Sequence, residues 1–62
     1  MLAQLYKEGE ELRIFDEEDN FVCDLKSDFD THKADLQLNR LRIKRQGKWH
    51  LTDWGYEARV KL

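Results

Sequence analysis

Apolar and polar residues alternate over two stretches near the front of the chain, a pattern that predicts a β-hairpin. Leu12 and Ile14 precede the turn-like stretch 17–20, and Cys23 and Leu25 follow it. Alternation with a period of two is typical of strands that bury one face. We therefore predict that Ile14 faces Cys23 and that Leu12 faces Leu25 across the hairpin.

The same register assigns a second set of residues to the opposite face of this hairpin. Arg13 then lies across from Asp24, and Phe15 lies across from Val22. Asn20 is expected at the last loop position, where asparagine tolerates a left-handed backbone. Because Phe15 and Val22 point away from the buried face, we expect the helix, a second copy of the chain or a partner protein to cover them.

The middle of the chain predicts one short helix near residues 28 to 38. Ser27 is suited to be its N-cap, with two acids in the first turn. The apolar stripe of this helix would hold Phe29, Lys33 and Leu36. Residues 2–7 fit either a short helix or a strand, and we favour a strand before Gly9.

Alternation resumes in the last third and predicts a three-stranded antiparallel unit over residues 40 to 62. A three-residue loop, Arg45-Gln46-Gly47, would place Gly47 where a positive φ is needed. Its strands would pair Lys44 with Lys48, Ile43 with Trp49, Arg42 with His50 and Leu41 with Leu51. The apolar residues of both strands then share one inner face. A last strand follows a turn at 53–55.

These elements predict an α+β fold in a small single domain, residues 1–62, with an N-terminal β-hairpin or meander, one short helix and a C-terminal three-stranded antiparallel unit. A chain of 62 residues buries only about 60% of its unfolded surface, so the core must be small. The longest apolar runs are Met1–Ala3 and Phe21–Cys23, from which we expect no membrane segment. The lone Cys23 favours a reducing compartment, and we expect a cytoplasmic protein.

Charge is sorted along the chain. Residues 1–35 carry eleven acids and four bases, a net of −7, whereas residues 36–62 carry seven bases and two acids, a net of +5. The sum is the formal −2 of the whole chain. Such a dipolar molecule offers a polyanion one face and repels it from the other.

The cations of the C-terminal half are the leading candidate site. Basic side chains neutralise phosphates and an exposed aromatic ring stacks on an unpaired base, so the predicted sheet face suits RNA or single-stranded DNA. The candidate nucleic-acid-binding residues are Arg40, Arg42, Lys44, Arg45, Lys48, His50, Trp54, Arg59 and Lys61. An antiparallel sheet also needs a solvated outer face, which would explain the same cations without a ligand.

Other chemistry has weaker support in the sequence. The acidic stretch 16–19 lacks the spacing of a calcium loop, and helix capping explains two of the acids around His32. His32 and His50 could serve as an acid and base, but no motif ties them together. We expect no enzymatic activity, no cofactor and no metal site.

The segment Gly47 to Thr52, followed by Gly55, resembles the wing strand of some bacterial winged-helix regulators, in which an aromatic residue, Leu-Thr and a later Gly recur. Those regulators carry a helix-turn-helix before the wing, whereas residues 25–40 have room for one short helix. We assign the chain to no family and use the resemblance only as support for a nucleic-acid partner.

The sequence thus predicts a non-enzymatic binding or regulatory module that contacts nucleic acid through a basic C-terminal sheet face. The alternative is a protein-interaction module, such as a regulator, an inhibitor or a homo-oligomeric subunit. It would dock through an exposed strand edge, the Phe15/Val22 patch or the acidic N-terminal half. An isoelectric point of about 5.6 favours that alternative, because dedicated nucleic-acid binders are usually basic.

Overall fold

Six antiparallel strands and one helix make up the computed structural model, which describes all residues 1–62. The strands are β1 (Leu2–Tyr6), β2 (Glu11–Phe15), β3 (Phe21–Lys26), β4 (Lys44–Arg45), β5 (His50–Leu51) and β6 (Gly55–Lys61). The helix, α1 (Thr31–Arg40), lies between β3 and β4 in sequence. The strand order is β3-β2-β1-β6-β4, and β5 also pairs with β6. The α+β fold class is confirmed, and the N-terminal part is the meander β1-β2-β3.

The predicted pairing of β2 with β3 is confirmed over most of its length. Leu12 faces Leu25, Arg13 faces Asp24 and Ile14 faces Cys23, and residues 2–6 form a strand as expected. The pairing of Phe15 with Val22 is wrong. The register shifts after Ile14, so that Phe15 lies opposite Phe21 instead. A bulge of this kind leaves one residue, here Val22, without a partner and disrupts the ladder locally.

Asp19, rather than Asn20, adopts the left-handed backbone of this turn, with a φ of 63°. The reason is that Asn20 is held at the end of the hairpin. Its carbonyl accepts a hydrogen bond from the Asp16 amide at 2.9 Å, and its own amide donates to Asp16 Oδ1 at 2.9 Å. The Asp16 carboxylate therefore closes the turn.

The helix begins later than predicted because Asp30, not Ser27, is its N-cap. Asp30 Oδ1 accepts hydrogen bonds from the amides of His32 at 2.8 Å and Lys33 at 3.2 Å. Ser27 instead extends the sheet, since its amide donates to the Glu10 carbonyl at 2.8 Å. The buried stripe of α1 consists of Ala34 and Leu38, and the predicted stripe residue Leu36 is 51% exposed.

The helix ends in a Schellman motif, which corrects the predicted strand at residues 40–43. The Ile43 amide donates to the Leu38 carbonyl at 2.9 Å and the Arg42 amide donates to the Asn39 carbonyl at 3.0 Å. Arg42 takes the left-handed position with a φ of 59°. Ile43 and Leu38 are both buried and supply the hydrophobic contact of the motif. Packing of Ile43 against the helix end thus takes precedence over its local alternation.

The predicted hairpin at Arg45-Gln46-Gly47 is also wrong. The chain does not reverse there, because β4 and β5 follow each other along the same edge of β6. It reverses at Thr52, whose hydroxyl oxygen accepts hydrogen bonds from the amides of Trp54 at 3.3 Å and Gly55 at 3.0 Å. Leu51, predicted to turn inward, is 75% exposed.

One face of the sheet carries the core and packs against α1. The buried cluster consists of Ala3, Leu5, Leu12, Ile14, Ala34, Leu38, Ile43 and Val60. Trp49 and Cys23 pack against it and are partly buried. No element covers the opposite side, which we call the open face. Its residues include Leu2, Gln4, Tyr6, Arg13, Phe15, Lys44, His50, Glu57, Arg59 and Lys61.

Candidate functional site

Five basic residues lie along the β4–β6 edge of the open face, and we call them the basic strip: Lys44, Lys48, His50, Arg59 and Lys61. Lys44 lies directly opposite Lys61, and His50 lies opposite Glu57. Residues paired across antiparallel strands share a face. The structure contains four ion pairs within 4.0 Å, and none involves a member of the strip.

Four other residues of the predicted site lie elsewhere. Arg40 and Arg42 belong to the last turn and cap of α1, and Trp54 lies in the turn before β6. Arg45 lies opposite the buried Val60 and points to the helix side, where Asp35 binds it. Neighbouring residues of a strand alternate between faces, so Arg45 and Lys44 could not both reach the open face.

The edge of the sheet is interrupted between β4 and β5. Arg45 pairs with Val60 and His50 pairs with Glu57, so residues 46–49 lie opposite only two residues of β6. The Gln46 amide still donates to the Arg59 carbonyl at 2.8 Å. The segment Gly47–Trp49 therefore leaves the ladder, and we call it the edge break. Bulged edges of this kind re-aim side chains and discourage edge-to-edge pairing.

Asp35 fixes the edge break from the helix side. Its Oδ1 accepts hydrogen bonds from Arg45 Nε and from the indole nitrogen of Trp49, each at 3.0 Å. Its Oδ2 accepts from Arg45 Nη2 at 3.2 Å, and Arg45 Nη1 donates to the Gly47 carbonyl. The role of Asp35 was not predictable from the sequence, since no local pattern links it to residues ten and fourteen positions later.

A shallow cavity of about 190 Å³ opens beside the edge break. Its polar lining comes from Gln46, Lys48, His50, Glu57 and Arg59. The Glu57 carboxylate accepts a hydrogen bond from Gln4 Nε2 at 3.1 Å. The lining therefore combines two permanent cations and one histidine with one carboxylate that already has a donor.

The acidic turn between β2 and β3 bounds the other side of Arg59. A second cavity of about 520 Å³ is lined by Arg59 and Gln46 together with Asp16, Glu17 and Asp19. Amide donation, from Asn20 first and also from Glu18, holds the pKa of Asp16 below its usual value. This carboxyl group is therefore ionised at neutral pH, and the turn opposes binding of an anion at Arg59.

An aromatic stack lies at the far end of the open face. Tyr6 and Trp54 stack with ring centroids 4.7 Å apart, and the Arg13 guanidinium carbon lies 4.8 Å from the Tyr6 centroid. The Tyr6 hydroxyl donates to Gln4 Oε1. Tyr6 and Trp54 are both partly exposed, and Tyr6 is in addition engaged by Gln4 and Arg13.

An apolar corner lies on the β2–β3 side of the open face. Phe15 and Phe21 meet edge to face with centroids 6.0 Å apart, and Phe21 and Val22 are 58% and 51% exposed. The helix was one of three predicted covers for this region. It packs on the other face, which excludes the helix as the cover and leaves a second copy of the chain or a partner protein as the predicted covers.

The structure groups no three His, Cys, Asp or Glu side chains in a way that could hold a metal ion. It also contains no helix with the length and apolar character needed to cross a membrane.

No protein-family model, curated protein or solved structure matches the chain. The segment that resembles a winged-helix wing forms the edge break and β5, and the single helix leaves no helix-turn-helix.

Proposed function

We propose that this chain is a small non-enzymatic module that binds the backbone of a nucleic acid through the basic strip. The observation that supports it is the concentration of Lys44, Lys48, Arg59 and Lys61 on one sheet edge with no carboxylate partner. Cations already paired within a protein must lose that partner before they neutralise a phosphate. Unpaired cations release counterions from the nucleic acid without that cost.

The distribution of acids also favours binding of a polyanion at the β4–β6 edge. Most acids lie in the loop before β2, in the turn before β3 and around the start of α1. The acidic turn lines a cavity with Arg59, so a polyanion is attracted to the β4–β6 edge and repelled from that turn. Such a field aligns the ligand along the edge and speeds encounter.

The strip has no base-reading arrangement that would give strong sequence specificity. Lys and Arg contacts to phosphate position a nucleic acid and carry no sequence information directly. The aromatic stack is the one group suited to contact a base, through the partly exposed Trp54. We therefore propose binding with weak sequence preference.

The test compares two neutralised variants with the wild type. Arg59→Gln removes a cation of the strip, whereas Lys26→Gln removes an exposed cation from β3 at the opposite edge of the sheet. Fluorescence anisotropy with random single-stranded and duplex oligonucleotides at low salt should show weaker binding for Arg59→Gln only. Equal affinities for the two variants, or no binding of the wild type, would overturn the proposal.

The apolar corner favours a second candidate function, a protein-interaction module. Phe21 and Val22 are more than half exposed, and they lie on β3, which has a free edge. A second copy or another protein could bury this corner or add a strand to that edge. Light scattering that shows a dimer, which Phe21→Glu converts to a folded monomer, would support this candidate. A monomeric wild type would exclude self-association through the corner.

A further inference from the structure

We propose that the edge break is a seat for one phosphate group, formed by the side chains of Lys48, His50 and Arg59 and by the backbone amides of Gly47 and Lys48, all of which line the cavity beside it. The inference rests on the proposed function, because it names the point where the basic strip holds the nucleic-acid backbone. It also makes a separate claim, that a single phosphate binds at this cavity rather than anywhere along the strip.

The first support is a set of free backbone donors. The amides of Gly47, Lys48 and Trp49 donate to no backbone acceptor in the chain, although the amide just before them, on Gln46, is bonded to Arg59. The Gly47 carbonyl is occupied by the Arg45 guanidinium. The break therefore leaves successive N–H donors without a protein acceptor while one of its carbonyls is satisfied, and successive free amides of a turn favour an anion.

The second support is the charge of the cavity. Lys48 and Arg59 contribute +2 and Glu57 contributes −1, a net of +1 with His50 neutral. Glu57 already accepts a hydrogen bond from Gln4, and His50 lies directly opposite it. The lining of this cavity is thus cationic, whereas the acidic turn borders Arg59 from the neighbouring cavity and opposes the anion from that side.

The third support is the size and rigidity of the cavity. Its volume of about 190 Å³ corresponds to about six waters at about 30 Å³ each, which leaves room for one phosphate group. Asp35 holds the break from the helix side through Arg45 and Trp49. A site whose supports are fixed in this way is arranged before the ligand arrives.

Gly47 allows the seat to be tested without disturbing the fold. A Cβ built at Gly47 meets no atom within 4 Å, and its φ is not in the left-handed region. A side chain at this position is therefore compatible with the backbone and projects into open space beside the seat. Gly47→Glu adds a negative charge there, and Gly47→Gln adds nearly the same volume without the charge.

The experiment measures the affinity of both variants for a random single-stranded oligonucleotide and their thermal unfolding. We expect Gly47→Glu to weaken binding about tenfold, since one misplaced charge close to a bound phosphate costs on the order of 1.4 kcal/mol. The reference for this loss is Gly47→Gln, which changes the same residue without adding a charge, so the tenfold weakening is the difference in affinity between the two variants, and both should unfold at the wild-type temperature. Equal affinities for the two variants would overturn the seat, while wild-type binding would leave the proposed function intact.

A second measurement separates the seat from the proposed function. Inorganic phosphate is titrated into ¹⁵N-labelled wild type at constant ionic strength, with chloride as the control anion. We expect the largest amide chemical-shift changes at Gly47 and Lys48, which line the cavity, with phosphate only. If the resonances of those amides shift with phosphate and no oligonucleotide binds, the phosphate seat is supported and the proposed function is wrong. If these resonances do not shift, the phosphate seat is overturned.

Discussion

The guanidinium of Arg45 binds the carboxylate of Asp35 through two hydrogen bonds, Nε to Oδ1 at 3.0 Å and Nη2 to Oδ2 at 3.2 Å. The Trp49 indole donates to the same carboxylate at 3.0 Å. One side chain of α1 therefore holds the last residue of β4, Arg45, and the last residue of the edge break, Trp49. Charge-assisted bidentate pairs combine strength with fixed geometry.

Replacing this carboxylate should loosen the edge break. We expect Asp35→Asn to lower the free energy of unfolding by about 1–2 kcal/mol, because an amide cannot accept all three hydrogen bonds. Urea unfolding measures the loss, and Trp49 fluorescence in the native state reports the freed indole. Asp28→Asn is the control, since Asp28 pairs with Lys33 through two exposed side chains, and it should cost less. Equal losses would contradict this account of the break.

Arg42 occupies a position that usually belongs to glycine. Its φ of 59° is unfavourable for a residue with a Cβ, and glycine is the common residue at this place in a Schellman motif. We expect Arg42→Gly to raise the free energy of unfolding by about 1 kcal/mol. Arg40→Gly, placed within the last helical turn, should lower it by about 1 kcal/mol. Loss of stability in both variants would show that Arg42 makes a stabilising contact.

Gly55 should tolerate no larger residue. A Cβ there would lie 1.9 Å from the Leu5 carbonyl oxygen, in the pairing of β6 with β1. We expect Gly55→Ala to lower the free energy of unfolding by about 3 kcal/mol, because two central strands must separate to admit the methyl group. Gly47→Ala, with no atom within 4 Å of its new methyl, is the matched control. Thermal unfolding measures both, and a mild effect at Gly55 would mean that β1 and β6 can shift apart.

The acidic turn should weaken the binding of polyanions, since Glu17 and Asp19 line a cavity with Arg59. We expect the double variant Glu17→Gln, Asp19→Asn to bind oligonucleotides a few times more tightly at low salt, with a smaller gain at high salt. Asparagine tolerates the left-handed backbone at position 19, so the fold should persist. Glu8→Gln, in the loop at the other end of β1, should leave affinity unchanged. An equal gain in affinity for Glu8→Gln would mean that the net charge of the protein, and not the position of the acids, determines the affinity.

The sequence was sufficient to predict structure where alternation and burial agreed. Leu12, Ile14, Cys23 and Leu25 could only be buried together in one register, and the structure has that register. The bulge beside Phe15 was not predictable in the same way. It adds one residue at the end of the hairpin, where the turn geometry of Asp16 and not side-chain polarity decides the pairing.

The prediction for the C-terminal half was wrong for a different reason. Leu41, Arg42 and Ile43 alternate as a strand would, but the same three residues fit a Schellman motif when the residue at the third position packs against the helix. Burial of Ile43 and Leu38 together in the core decides between the two conformations. Arg40 and Arg42, predicted on the sheet face, therefore lie at the end of the helix. The basic strip consists of the remaining cations Lys44, Lys48, His50, Arg59 and Lys61.

The salt dependence of oligonucleotide affinity tests the central claim most directly. Four permanent cations in the strip predict a slope of log affinity against log salt of about −3.6 on duplex DNA and about −2.8 on single strands. Neutralising Arg59 should reduce the magnitude of that slope by nearly one unit, and neutralising Lys26 should leave it unchanged. A slope near zero, or equal changes for the two variants, would contradict binding through the strip.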